Sequence, residues 1–187
     1  MPRLFTGIEI PPEIAERLGE LRGGLPSARW VDPENYHITL RFLGDIDAAT
    51  ARDVADLLAA IRRRAFSITI DGLGAFGNAK PHQVWARVPA SPELMALQNE
   101  NEQLIQRAGM PAETRKFTPH VTLARLRGTK SHALAKYMES RSGFSIEPFE
   151  VTRFVLFSAQ PSRGGGPYIV EEAYPLLEAQ AYHAIRP

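Results

Sequence analysis

Apolar positions recur along this chain with two periods, one helical and one extended. Arg3 to Ile10 is dense in apolar and β-favouring residues and predicts a strand. Pro11-Pro12-Glu13 ends it and opens a helix with Ile14, Leu18 and Leu21 on one face, stopped by Gly23-Gly24. Trp30-Val31 and Tyr36 to Leu43 read as extended. Asp47 is placed to cap a second helix, with Val54, Leu57, Leu58 and Ile61 as its apolar face and Arg62-Arg63-Arg64 in its last turn. Phe66 to Ile70 alternates like a strand. Gly72, Gly74 and Gly77 mark a turn-rich loop, and Val84 to Val88 returns as a strand. Ser91-Pro92 caps a long helix carrying Leu94, Leu97, Leu104, Ile105 and Ala108, closed by Gly109. Phe117 to Leu126 is extended again, and Leu134, Tyr137 and Met138 suggest a short helix. Val151 to Ser158 and Tyr168 to Leu176 predict two strands around a glycine-rich loop at 162–167. Several strand pairs are hairpin-like. The pattern favours an α+β fold with mainly antiparallel sheets.

Composition narrows the chemistry. The 187 residues hold 22 Lys and Arg against 21 Asp and Glu, a formal charge of +1. No global field draws in a polyanion, so contact with an anion must come from local groups. The absence of cysteine excludes disulfides, Cys-ligated zinc, iron–sulfur clusters and a cysteine nucleophile. The opening residues lack a signal-peptide pattern, and no apolar run approaches the ~18 residues of a membrane span. A cytoplasmic protein folded as one domain over residues 1–187 is the expectation, with a monomer as the default and no membrane partner.

One short pattern occurs twice. Residues 37–43 read His-Ile-Thr-Leu-Arg-Phe-Leu, and residues 120–126 read His-Val-Thr-Leu-Ala-Arg-Leu. With five His, nine Thr and eighteen Leu in the chain, His-x-Thr-Leu is expected about 0.02 times by chance, and it occurs twice. In a strand, side chains alternate between faces. His37 and Thr39 then share one face while Ile38 and Leu40 take the other, and His120 and Thr122 face away from Val121 and Leu123. Each strand anchors in a core and presents an imidazole beside a hydroxyl.

Two such strands facing one cleft would assemble two His and two Thr. That set suits phosphodiester chemistry. One imidazole takes a proton from water, the other protonates a leaving oxygen, and the hydroxyls donate to the non-bridging oxygens. A single His in a strand is more often structural, and Thr is a good strand former. The matched repetition tips the reading towards function. A two-His metal site would want a carboxylate or third His nearby, and neither motif carries one. No metal or other cofactor is expected.

The paired motifs, inside YHITLRFLGD and FTPHVTLARL, resemble the 2H phosphoesterase superfamily, and within it the RNA 2',3'-cyclic phosphodiesterases, also called 2'-5' RNA ligases. The opening LFTGIEIPPEI, the stretch Arg29-Trp30-Val31 and the ending LFSAQPSRGGGPYIVEEAYPL extend the likeness along nearly the whole chain. The resemblance implies a bilobal, pseudo-twofold α+β fold, with two mainly antiparallel sheets facing a central cleft and helices outside. It implies hydrolysis of a 2',3'-cyclic phosphate at an RNA end to a 2'-phosphate, with weak reverse ligation. The family's four catalytic residues fall on His37, Thr39, His120 and Thr122, with His37 as acid and His120 as base. Phosphodiesterase action on 2'-5'-linked oligonucleotides or small cyclic nucleotides, or non-catalytic binding of RNA ends, stays open.

Further substrate contacts follow with less support from spacing. Arg41 shares the predicted His37 face. Strict alternation turns Arg125 away from His120 unless a bulge re-aims it, and the family pattern often carries a basic residue there. Phe42 can stack on a base, although alternation places it in the core. Tyr36 and Trp30 have the same potential but read better as packing residues. Arg115-Lys116 precedes the second motif and is placed to steer RNA. Arg163 lies in the glycine-rich loop, and His82 is the remaining histidine best placed to touch a ligand. His132 and His183 read as surface or structural residues.

Overall fold

The computed structural model describes residues 3–160 and 165–179. Arg163 and His183, and the first half of the glycine-rich loop, lie outside them. The chain runs β1 (Arg3–Glu9), α1 (Pro12–Gly19), β2 (Ala28–Trp30), a 3-10 turn (Pro33–Asn35), β3 (His37–Asp45), α2 (Ala48–Leu58), β4 (Phe66–Asp71), β5 (Leu73–Phe76), β6 (Gln83–Arg87), α3 (Pro92–Arg107), β7 (His120–Leu126), α4 (Ser131–Glu139), β8 (Ser145–Val151), β9 (Arg153–Ala159) and β10 (Tyr168–Pro175). This is the α+β class expected from the sequence.

An eight-stranded sheet has the order β10-β9-β1-β3-β7-β6-β5, with β2 also pairing β7. All of its pairings are antiparallel. A second antiparallel sheet joins β4 to β8. The two motif strands meet at one residue pair, Ile38 with Val121. Each of these residues follows its motif histidine, so the pair sits on the pseudo-twofold axis that relates the two halves. One apolar core runs beneath both motifs. It takes Ile38 and Leu40 from β3, Val121 and Leu123 from β7, Leu18 from α1, Val54 and Leu58 from α2, Leu94, Leu97 and Ile105 from α3, and Tyr137 from α4.

Local chemistry accounts for the helix starts. Asp47 accepts from the backbone N–H groups of Ala49 and Thr50, both at 2.9 Å, and Ser91 accepts from Leu94 at 3.2 Å. The ends and connections differ from the sequence reading in four places. Helix α1 stops at Gly19, ahead of Gly23-Gly24. Helix α2 stops at Leu58, so Arg62–Arg64 follow it, and Arg62 donates to the carbonyls of Ala59 and Ile61. The segment expected as a glycine loop contains strand β5. There Gly74 pairs with Trp85, and a Cβ on Gly74 would lie 2.1 Å from the Trp85 indole. Glycine is used here for close approach rather than for a turn. Strand β8 was not expected, and it contains Pro148. That proline falls where Ile68 pairs with Phe149 and Ile70 with Ile146, so its missing N–H sits in a bulge and breaks no regular ladder.

Candidate active site

Both motif strands carry the same irregularity, and it decides what reaches the cleft. Thr6 of β1 pairs with Arg41 and Gly7 with Thr39, leaving Leu40 without an opposite residue. Val84 of β6 pairs with Ala124 and Trp85 with Thr122, leaving Leu123 likewise. A bulge resets the two-residue alternation. Before it, His37 and Thr39, and His120 and Thr122, are half-buried at the cleft. After it, the faces exchange. Phe42 is 42% exposed rather than in the core, and Arg125, at the equivalent position, is exposed at the cleft. Arg41 turns inward, to 7% exposure. Its guanidinium pairs with Glu102 and donates to the carbonyls of Phe42 and Pro111. That fully bonded arginine is a clamp between β3 and α3.

The two histidines are held alike. Nδ1 of His37 lies 2.9 Å from the Asn35 carbonyl, and Nδ1 of His120 lies 2.6 Å from the Thr118 carbonyl. A carbonyl oxygen only accepts, so each Nδ1 carries the proton. In the neutral ring Nε2 is then the basic atom, left for the cleft. Both anchors lie two residues before the histidine, a second mark of the repeat.

Aromatic rings wall both sites. His37 packs against Phe5, Phe157 and Tyr168, at ring-centroid distances of 5.0, 5.7 and 4.8 Å. His120 packs against Phe76 and Trp85, at 5.1 and 5.5 Å. Burial disfavours the imidazolium. It is the main reason the His37 pKa falls to about 4, with His120 and Arg125 adding repulsion. Burial also lowers the His120 pKa. In each case the backbone bond at Nδ1 opposes the drop. Both rings are therefore neutral in the free protein near pH 7.

The sequence reading missed Gln83. Its Nε2 donates to Thr122 Oγ1 at 2.7 Å and lies 3.3 Å from His120 Nε2. No local signal marks it, because β6 and β7 come together only through the sheet. The residues around the motifs enclose a cleft of about 840 Å³, into which Arg125, Arg115, Lys116, His82, Phe42 and Tyr168 also face. Arg115 forms a forked ion pair with Glu113, whose carboxyl pKa falls to about 2 through those bonds. Tyr36 is buried and Trp30 packs on Tyr137, as packing residues do. His132 is exposed on α4. A smaller hollow of about 340 Å³ adjoins the cleft across Asn35, Arg125 and Gly165. Among the described residues, no three His, Cys, Asp or Glu side chains gather as metal ligands, and no helix is long and apolar enough to cross a membrane.

The repeat that organises this site also appears in comparison with known families. The family model for LigT-like phosphoesterases matches twice in succession, over residues 8–86 and 87–168. The chain belongs to the LigT-like phosphoesterase family. Each match takes in one motif, His37 to Leu40 or His120 to Leu123. Two relatives of this LigT-like chain are named RNA 2',3'-cyclic phosphodiesterase. The Aeropyrum pernix protein is 35% identical over 160 residues, covering 81% of this chain and 90% of the relative. The Escherichia coli protein is 31% identical over 166 residues, covering 87% and 89%. Among solved structures, E. coli LigT complexed with 3'-AMP superposes with a TM-score of 0.75 at 28% identity, covering 94% of this chain and 99% of that one.

Proposed function

We propose that this LigT-like phosphoesterase opens 2',3'-cyclic phosphates at RNA ends, leaving a 2'-phosphate. The observation that carries the reading is the matched pair of imidazoles, each with Nδ1–H tied to a backbone carbonyl and Nε2 left for the same cleft. The names of the relatives supply the substrate class.

In this reading water attacks phosphorus from the side of His120, whose Nε2 accepts the water proton as the P–O bond forms. The P–O3' bond breaks on the opposite side, and protonated His37 delivers its Nε2 proton to O3'. Thr39 and Thr122 donate hydroxyl hydrogens to the non-bridging oxygens as their charge grows, and Arg125 adds a positive charge beside them. His37 enters this scheme as a cation although the free protein holds it neutral. The bound phosphodiester anion provides the reversal, because an anion beside an imidazole raises its pKa. With the 5'-hydroxyl of a second RNA in place of water, the same attack breaks P–O3' and joins the two ends through a 2'-5' linkage, and abundant water competes with it.

The test is a short RNA ending in 2',3'-cyclic phosphate, incubated with chelator present, followed by identification of the phosphate position. A 2'-phosphate is expected, with turnover abolished in both His37→Ala and His120→Ala. A 3'-phosphate would overturn the leaving-group assignment. Undiminished turnover by either alanine variant would remove the histidines from the chemistry.

A further inference from the structure

The pseudo-twofold axis pairs positions one by one, and one pair is chemically unlike. Under the symmetry that matches His37 with His120 and Thr39 with Thr122, Phe42 corresponds to Arg125. On the neighbouring strands, Phe5 pairs with Phe42 and Gln83 pairs with Arg125. Phe5 and Gln83 therefore hold equivalent places. One lays an aromatic ring against its histidine. The other lays a primary amide between its histidine and threonine.

We propose that Gln83 is a positioning residue that commits His120 to the role of base and Thr122 to the role of donor, breaking the equivalence of the two halves. This rests on the cyclic-phosphate reading of the site. The argument follows the hydrogens. The Gln83 amide nitrogen carries two. One goes to Thr122 Oγ1 at 2.7 Å, which occupies a lone pair there and leaves the threonine O–H to donate into the cleft. The other faces His120 Nε2 at 3.3 Å. Because Nδ1–H is held by Thr118, Nε2 meets that amide as a lone pair, so the contact exists only with the neutral ring. Incoming water replaces a long, weak contact and finds the base already aimed. Among the described residues, His37 has no side-chain hydrogen bond at Nε2, only its aromatic wall and the Asn35 carbonyl.

The charged surroundings of His120 are shared by any variant at position 83. His37 faces it across the cleft, and Arg125 lies on its own strand. Arg87 is opposite it on β6 and bonded to Asp71. His82 precedes β6, and Glu113, Arg115 and Lys116 line the approach to β7.

Two measurements test the proposal. Gln83→Met keeps the length and removes the amide. It should lower kcat about tenfold, the worth of one neutral hydrogen bond, with KM nearly unchanged. It should cost less in a Thr122→Ala background, where the part that acts through Thr122 is already lost. An equal loss in both backgrounds would overturn the coupling. Should the methionine variant fail to fold, Gln83→Asn, one methylene short of Thr122, replaces it with the same expectation. Gln83→Glu places a carboxylate at Nε2. In the free protein, the His120 titration followed by NMR should then move up by about one pH unit. A midpoint left at the wild-type value would show that position 83 does not reach Nε2. The NMR readout needs no substrate, so it stands apart from the cyclic-phosphate reading, which fails if wild-type protein leaves the RNA end intact.

Discussion

His37 carries the largest electrostatic cost in the site, and that cost has two measurable consequences. Its pKa falls to about 4 in the folded protein, against 6.5 for a free imidazole. Between these values the unfolded chain binds more protons than the folded one, so stability rises with pH across that window and is lost as pH falls from about 6.5 to about 4. The loss amounts to at most about 3 kcal/mol. Urea denaturation of His37→Gln should therefore show a flatter pH dependence over that range than the wild type. The second consequence is kinetic. The phosphodiester anion raises the His37 pKa in the complex, so the basic limb of the kcat profile should lie at higher pH than that of kcat/KM. Coincident limbs would remove His37 as the acid. Thr39→Ala and Thr122→Ala should each lower kcat by roughly 10²–10³, the effect of deleting one donor to a developing anion. Steady-state kinetics on the cyclic-phosphate RNA measures it.

At the scale of elements, the helices and motif strands were legible because period and caps agreed. Asp47 and Ser91 cap where their side chains predict, and Ile38, Leu40, Val121 and Leu123 all reach the core. What escaped was every feature that depends on a neighbouring strand. The bulges at Leu40 and Leu123 exist only relative to β1 and β6, so alternation alone put Arg41 on the His37 face and Phe42 in the core. Strand β8 carries Pro148 in a bulge that is defined by β4. Gln83 meets Thr122 across 39 positions of sequence, and no local pattern announces that. Strand β5 belongs to the same class. Its Gly74 is dictated by Trp85, which in turn walls His120. Gly74→Ala must displace the indole, since the added Cβ falls 2.1 Å from it. Overpacking of this kind costs about 1–3 kcal/mol. Chemical denaturation should show that loss, and turnover should fall with it because the indole wall moves.

At the scale of the whole molecule, the duplication raises the question of whether two halves fold as two units. The family match divides at residues 86 and 87, in the middle of the β6 end and far from any apparent linker. The two halves also exchange strands. β9, late in the chain, pairs with β1 and carries β10 on its other edge, and β4 pairs with β8. Arg41 of the first half is clamped to Glu102 of the second, and the apolar core under both motifs is continuous. Neither half can bury its own apolar faces without the other. We therefore propose that residues 1–187 behave as one cooperative domain, with the lobes as geometry rather than as separate folding units. Far-ultraviolet circular dichroism and the fluorescence of Trp30 and Trp85 should report a single coincident unfolding transition. Trp30 lies on β2 and packs with Tyr137, and Trp85 stands against His120, so fluorescence reads mainly the lobe built around β7. Dichroism reads the whole chain. Two resolved transitions would show that the shared core does not couple the lobes, and the cleft between them would then open at a cost below that of global unfolding.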